Sequence, residues 1–548
     1  MISGAAGRLR ALLPRTEDYR ALRTSWRIDL VAGVTVGIVA LPLALAFGVS
    51  SGVGAEAGII TAIVAGLVAA VFGGSNVQVS GPTGAMVVVL APIVMAHGVG
   101  AVAVVSIMAG VIVLAAGALR LGRTVSYVPW PVIEGFTAGI GIIIFAQQIP
   151  AALGIEAAGH QANAIAAAVE AAAGAAWPGA LLPLAAVAAV AAIMLVLGRF
   201  ARALPASFIA IIVVSLGAFA LRLPLTVIGE MPNSLPAPAL PAFTPAMLAE
   251  LAGPAFAVAA LAAIESLLSA RVAATLADTG RVNADRELFG QGLASIAAGF
   301  FGGMPATGAI ARTAVSVRSG ARTRLASITH ALVLLAIVLV AAGVVSHIPL
   351  AALSGVLMMT AARMVSLRTL RRVLRGGRST AAVYLVTLFV TVAFDLIVAV
   401  GIGLLVTAFF ALRALSRLSD ARRDPLPGEP EPGDERIATF TVQGPLFFGA
   451  ADRLVEAIAE EPGVEVVVLR LSNVQLLDAT GANALAELVG ALERRGVTVL
   501  IKGVRAEHRR LLEQLGVIAS LRHPNHLFAD LGPAIEHARS HIRRGPGG

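Results

Sequence analysis

Three short stretches carry residues whose types and spacing suit anion and ion chemistry. Gly81-Pro82-Thr83-Gly84 interrupts an otherwise apolar run. Pro82 lacks an N–H and clashes with a preceding turn, and the two glycines weaken helical continuity, so an extended approach followed by a short helix is expected. Proline suits the first helical turn, with Ser80 or Thr83 near enough to cap it. A helix start buried in a membrane is an anion site, with Thr83, Gly84 and Ala85 offering backbone N–H groups at the positive end of the helix dipole. Gly303-Met304-Pro305-Ala306-Thr307-Gly308 repeats the break, and there Ala309, Ile310 and Ala311 offer the same groups. Arg312 follows about one turn into that helix, where a charge is costly unless it is paired or serves a pathway. Its bland alternative is snorkelling toward the side of Arg318. Glu265 ends the apolar run that begins at Phe256, and with Ser269 one turn on it can carry a proton or ligate Na+. A purely structural pairing of Glu265 with Arg312 competes with that reading. Phe47 and Gln78 are further candidates for a cavity lining.

These residues need a membrane-embedded scaffold, and the composition supplies one. The 548 residues are 57% hydrophobic and 13% charged, with a mean hydropathy of +0.87. That balance fits a polytopic α-helical membrane protein and not a soluble enzyme. Apolar segments are expected near 28–50, 57–74, 82–97, 101–119, 131–149, 179–198, 206–222, 252–275, 286–302, 306–317, 325–345, 349–364, 380–394 and 396–414. Arginine clusters follow the even-numbered segments, as at Arg120/Arg123, Arg199/Arg202, Arg318/Arg322/Arg324 and Arg363–Arg378, whereas 51–56, 150–178, 223–251 and 346–348 contain no Lys or Arg. By the positive-inside rule both termini are cytoplasmic. Residues 1–27 hold six arginines without an apolar core, so no cleavable signal is expected. Seven segments lie in 28–222 and seven in 252–415, and an odd number per repeat inverts the second half. The two Gly/Pro breaks open the third segment of each half, the best pointer to a midplane site.

Residues 416–435 form a polar, Pro-rich linker, and 436–545 read as an α/β sandwich. Strands are expected at Arg436–Val442, Val464–Leu471 and Val497–Ile501, with helices at Ala451–Glu460, Asn483–Arg494 and near 506–515 and 532–543. The chain has no cysteine, which excludes disulfides and thiolate sites. The nine histidines (His97, His160, His330, His347, His508, His523, His526, His537 and His541) have no metal-ligand spacing supported by Cys or carboxylates, so no metal site is assigned beyond Na+ at Glu265. No Ser/His/Asp set suggests an enzyme, and the net charge of +9 is scattered between apolar runs, which argues against nucleic-acid binding. Glu134, Asp395 and Glu287 read as caps or loop ion pairs, and Gln147-Gln148 as helix packing.

In order along the chain, Leu41-Pro42-Leu43-Ala44-Leu45-Ala46-Phe47-Gly48, Val79–Gly84, Pro129–Thr137, Arg286–Ala294 and Arg318–Arg324 resemble the SulP sulfate-permease group of anion transporters, and Asp478-Ala479-Thr480-Gly481 resembles the signature turn of a STAS domain. The resemblance implies a fold shared with nucleobase permeases, in which a core domain moves against a gate domain. It also implies a substrate between the third and tenth helices, and a homodimer with cytoplasmic STAS domains open to further partners. Arg312 matches a basic position near the anion site in relatives, and Glu265 with Ser269 matches the sodium site of bicarbonate carriers. Leu43 stands where many sulfate-type members have Gln. Thr480 matches the phosphorylatable hydroxyl of STAS anti-sigma antagonists, with a helix cap as the other reading. The expected function is secondary active transport of a small anion such as bicarbonate, sulfate or a dicarboxylate across the bacterial inner membrane. Rivals are an uncoupled chloride carrier or channel, a membrane-anchored STAS signalling protein and a nucleobase permease.

Overall fold

The computed structural model describes residues 12–19, 21–123, 129–155, 163–201, 204–394, 396–416, 420–447 and 463–545. They fall into two compact units, Met1–Leu404 and Leu405–Gly548.

The principal helices of the first unit are α1 (Leu22–Ser50), α2 (Ala55–Phe72), α3 (Gly84–His97), α4 (Gly100–Ala118), α5 (Trp130–Gln147), α6 (Leu181–Phe200) and α7 (Ala206–Ala220). The second series is α8 (Pro245–Leu276), α9 (Ala284–Phe300), α10 (Ile310–Arg318), α11 (Arg324–Val345), α12 (Leu350–Met364) and α13 (Arg378–Ala393), and α14 (Leu396–Ser416) runs across the boundary between the units. Each expected apolar segment overlaps one of these helices, with ends that differ by up to seven residues. Among the described residues eight helices are long and apolar enough to cross a bilayer, while α3, α7 and α13 are apolar but shorter. The polar connections hold helices the pattern did not announce. Leu367–Arg375 is amphipathic and capped by the Ser366 side chain, and Ala164–Ala173 is capped by Asn163.

The helices sort into two bundles. In one, α1 packs on α2 and α11, α2 on α9 and α11, and α4 on α8 and α9, with α10 against α8. In the other, α5 packs on α12 and α13, and α6 on α7 and α12. Helices α1–α4 of the first half thus pack among α8–α11 of the second. Small residues allow close contact: a Cβ on Gly110 would lie 2.8 Å from the Gly292 carbonyl oxygen. The two broken segments meet as a two-stranded antiparallel ribbon, β1 (Ser80–Gly81) with β2 (Thr307–Gly308), in the register Ser80 to Gly308 and Gly81 to Thr307.

The second unit carries a five-stranded sheet in the order β3 (Asp420–Asp424), β4 (Ile437–Leu446), β5 (Val466–Leu477), β6 (Thr498–Lys502) and β7 (Leu527–Phe528). Only the β3–β4 pair is antiparallel. Helices α15 (Ala479–Arg494), α16 (Ala506–Gln514) and α17 (Leu531–Arg544) complete the described α/β unit. The expected helix at Ala451–Glu460 lies outside the described residues, as does Asp395. The segment 416–435 is more than a linker, since its charged stretch Asp420–Asp424 forms an edge strand. Asp424 accepts from Arg470 Nη1 at 2.8 Å and from the Thr441 hydroxyl, which a hydropathy pattern cannot foresee. Asp478, not Thr480, caps α15 by accepting from the Gly481 N–H at 2.8 Å. Thr480 is exposed in the first turn. The described part of this unit also brings His526, His537 and His541 together, with no Cys or carboxylate among them.

Candidate functional site

Irregular backbone at membrane depth must find its hydrogen-bond partners inside the protein. Around the β1–β2 ribbon, side chains from neighbouring helices provide them. Thr61 Oγ1 accepts from the Met304 N–H at 2.7 Å, and Ser295 Oγ accepts from the Ala306 N–H at 3.3 Å. Ser266 Oγ accepts from the Gly308 N–H at 3.0 Å, Thr313 Oγ1 from the Val79 N–H at 3.1 Å, and the Val79 carbonyl from the Ala309 N–H at 2.8 Å. With the approaches pinned, both short helices begin where they could not if their ends were free.

Helix α3 starts at Gly84, two residues after Pro82, so the proline precedes the helix and does not occupy its first turn. Neither Ser80 nor Thr83 caps it. The Thr83 hydroxyl turns instead to Glu265, donating to Oε2 at 2.9 Å. Helix α10 starts at Ile310 and is equally uncapped. The first-turn N–H groups of Gly84, Ala85 and Met86, and of Ile310, Ala311 and Arg312, have no intrahelical acceptors. Ala309 differs from expectation, because its N–H is already given to Val79.

A cavity of about 240 Å³ opens in front of both helix starts. Thr83, Gly84 and Ala85 line it from α3, Ala309–Arg312 from α10, Phe47 and Leu43 from α1, and Glu265 from α8. The opposite wall belongs to the other bundle and is mostly apolar, with Val132, Ile133, Phe136 and Ile140 on α5 and Met364 on α12; Thr137 and Thr360 also line it, each hydroxyl donating to a carbonyl of its own helix. The volume falls below the roughly 300–1,000 Å³ of pockets for drug-sized ligands, which suits a small solute.

Arg312 is 1% exposed. One guanidinium nitrogen donates to the Pro82 carbonyl, while Nη1 is buried without a partner. A Cβ on Gly81 would sit 2.7 Å from that Nη1, so glycine there makes room for the guanidinium. Arg312 therefore does not snorkel. Nor does it bond to the Glu265 carboxylate, whose Oε2 is taken by the Thr83 and Thr307 hydroxyls. Glu265 Oε2 accepts from Thr307 at 2.8 Å as well as from Thr83, and the two threonine oxygens lie 3.1 Å apart. Three oxygens from α8 and the two broken segments thus converge, a donor set that fits a small hard cation or a proton on the carboxylate.

Two expected residues fall elsewhere. The Gln78 side chain points away from the cavity and donates to Glu287 Oε1 at 2.8 Å. Ser269 is buried beside Thr313, donating to its Oγ1 at 3.1 Å, and does not line the cavity. Thr307 takes the oxygen role beside Glu265 that its sequence spacing suggested for Ser269. Glu287 also departs from the loop-ion-pair reading. It is 1% exposed and accepts from the N–H groups of Gly74 and Ser75 at 2.8 and 3.1 Å and from Gln78 and Gln291. Its neighbour Arg286 pairs with Asp18 at 2.8 Å instead. Glu134 accepts from Trp130 Nε1 at 3.0 Å within its own helix, so it neither caps nor pairs with a cation. Gln148 does pack as expected, donating to Ser50 Oγ on α1 at 3.1 Å.

Comparison with known proteins converges on one group. The sulfate permease family model matches residues 26–387, and the STAS domain model matches residues 432–534. A putative sulfate transporter of Bacillus subtilis, YvdB, is 34% identical over 89% of this chain and 93% of its own. The bicarbonate transporter BicA of Picosynechococcus is 31% identical over 89% of this chain and 90% of its own. The structure of the murine anion transporter Slc26a9 superposes with a TM-score of 0.82 at 17% identity, covering 97% of this chain and 95% of that one. That last likeness speaks to the fold alone.

Proposed function

This chain belongs to the sulfate permease family, and from that premise we propose that it is a secondary active transporter of a small anion such as bicarbonate, sulfate or a dicarboxylate. The observation that carries the proposal is the pair of uncapped helix starts facing one small cavity beside the unpartnered Nη1 of Arg312. Backbone N–H groups and helix dipoles from two directions, with one fixed guanidinium, favour a compact negative charge. The anion sits between Gly84–Ala85 and Ile310–Ala311, with Phe47 closing one side. Glu265, Thr83 and Thr307 hold the coupling ion, Na+ or H+.

Alternating access follows from the walls. The cradle belongs to one bundle and the apolar face of α5 and α12 to the other, so sliding one bundle against the other would open the cavity to each side in turn. The protein works in a bacterial inner membrane with both termini in the cytoplasm, as a homodimer whose STAS domains are available to cytoplasmic partners. Thr480, exposed at a helix start, is accessible to a kinase there.

The test is uptake into proteoliposomes of labelled bicarbonate, sulfate and succinate, with and without an inward Na+ or H+ gradient. Accumulation of one anion above its external level under one gradient is expected. If none of the three enters faster than into empty liposomes, the proposed substrate class is wrong. If entry is fast but never concentrative, the protein is an uncoupled carrier.

A further inference from the structure

The C-terminal unit gathers three imidazoles that anion transport does not use. His526 ends the 3-10 turn Pro524–His526 ahead of β7, and His537 and His541 stand one turn apart on one face of α17. One ligand nitrogen from each lies within 4.8 Å of the other two. His537 Nε2 and His541 Nε2 are 3.3 Å apart. Two nitrogens bound to one tetrahedral zinc at about 2.0–2.1 Å stand about 3.3–3.4 Å from each other, so the helical pair already has the edge length of such a site. The three rings meet with centroids 4.9, 5.4 and 5.5 Å apart.

His526 supplies an independent sign. It is 3% exposed, and its Nδ1 is buried with no hydrogen-bond partner. An imidazole binds metal through the lone pair of its neutral form. An all-imidazole set disfavours Ca2+ and Mg2+, which take oxygen ligands.

We propose that His526, His537 and His541 form a three-histidine site for a first-row divalent cation of the Zn2+ type, with a fourth position open to solvent or an anion. Metal bound there staples the turn before β7 to the last helix, so it stiffens the end of the STAS unit.

The test uses the full-length protein in detergent, purified without a histidine tag, stripped with chelator and then equilibrated with Zn2+ or Co2+. One metal per chain is expected, and bound Co2+ should show the intense visible bands of four-coordinate geometry. His537→Ala and His541→Ala should weaken binding by about 100-fold or more, beyond the 10–100-fold cost of losing an outer-shell partner. His508→Ala, on α16, should bind as wild type does. Because the chain has no cysteine, His541→Cys offers a separate reading: Co2+ should then give a sulfur-to-metal charge-transfer band. The proposal is overturned if the wild type takes up no metal, if the alanine variants bind as tightly as wild type, or if the cysteine variant shows no sulfur band.

Discussion

Replacing Arg312 with alanine removes the one cationic side chain that lines the cavity among the described residues. Its guanidinium is held by the Pro82 carbonyl and leaves Nη1 with no partner. A hydrogen bond to a charged group contributes about 1.5–3 kcal/mol, and each 1.4 kcal/mol is a factor of ten. The apparent KM for the transported anion should therefore rise roughly 10- to 150-fold. Lysine keeps the charge but is a point donor without the planar fork. It cannot hold the Pro82 carbonyl and the anion together, so Arg312→Lys should fall between wild type and Arg312→Ala. The assay is initial-rate uptake into proteoliposomes over a range of anion concentrations. Alanine also leaves the buried Pro82 carbonyl without its donor, a separate cost of about 1–3 kcal/mol in stability. Melting of each variant in detergent separates that loss from the loss of binding. If Arg312→Ala folds and its KM stays within about twofold of wild type, Arg312 makes no contact with the anion and the reasoning fails.

Glu265→Gln keeps an acceptor for Thr83 and Thr307 but loses the charge, so anion entry should persist while gradient-driven accumulation disappears; concentrative uptake by this variant would remove Glu265 from coupling. Gly84→Val should abolish uptake without unfolding the protein, because a Cβ there presses on the end of the Ile144 side chain and lies 3.4 Å from the cavity-lining Phe47 Cε1; uptake and size-exclusion profiles measured together decide it. Glu287→Ala strands four buried donors from Gly74, Ser75, Gln78 and Gln291 and should cost about 3 kcal/mol or more, read as a lower unfolding midpoint. Burial works against a charged Asp18, but hydrogen bonds from Arg286 and the Arg15 N–H outweigh it and hold the carboxyl below its usual value. This contact therefore stabilises the folded chain above the ordinary aspartate pKa and fades as pH falls through the lowered one. Hydrogen exchange at Thr16–Tyr19 should lose protection at acid pH in the wild type, whereas Asp18→Asn should show no such step.

The site was legible where its chemistry is local. Gly81-Pro82-Thr83-Gly84 breaks a helix whatever surrounds it, and Arg312 and Glu265 stand out as charges in apolar runs. What escaped depends on partners distant in the chain. Thr307 comes beside Glu265 only because β2 pairs with β1, and Ser269, at the right helical spacing, was drawn off by Thr313. Glu287 was masked by its neighbour Arg286, since adjacency suggested a pair that the fold splits between Asp18 and a buried loop. In the STAS unit, β3 is too charged to read as a strand until Asp424 meets Arg470. His537 and His541 carried an i, i+4 signal, but the third imidazole arrives from another element.

The ribbon of β1 and β2 also sets an order of assembly. Its strands come from residues more than two hundred positions apart, as the 224-residue separation of Thr83 from Thr307 records. During synthesis the first half therefore enters the bilayer with the backbone of Val79–Gly81 still unpaired, at a depth where no water can satisfy it. Only arrival of the second half supplies Gly308, Ala309 and Thr313. A nascent chain halted between the repeats carries an open polar seam in lipid, a mark by which an unfinished transporter can be told from a finished one.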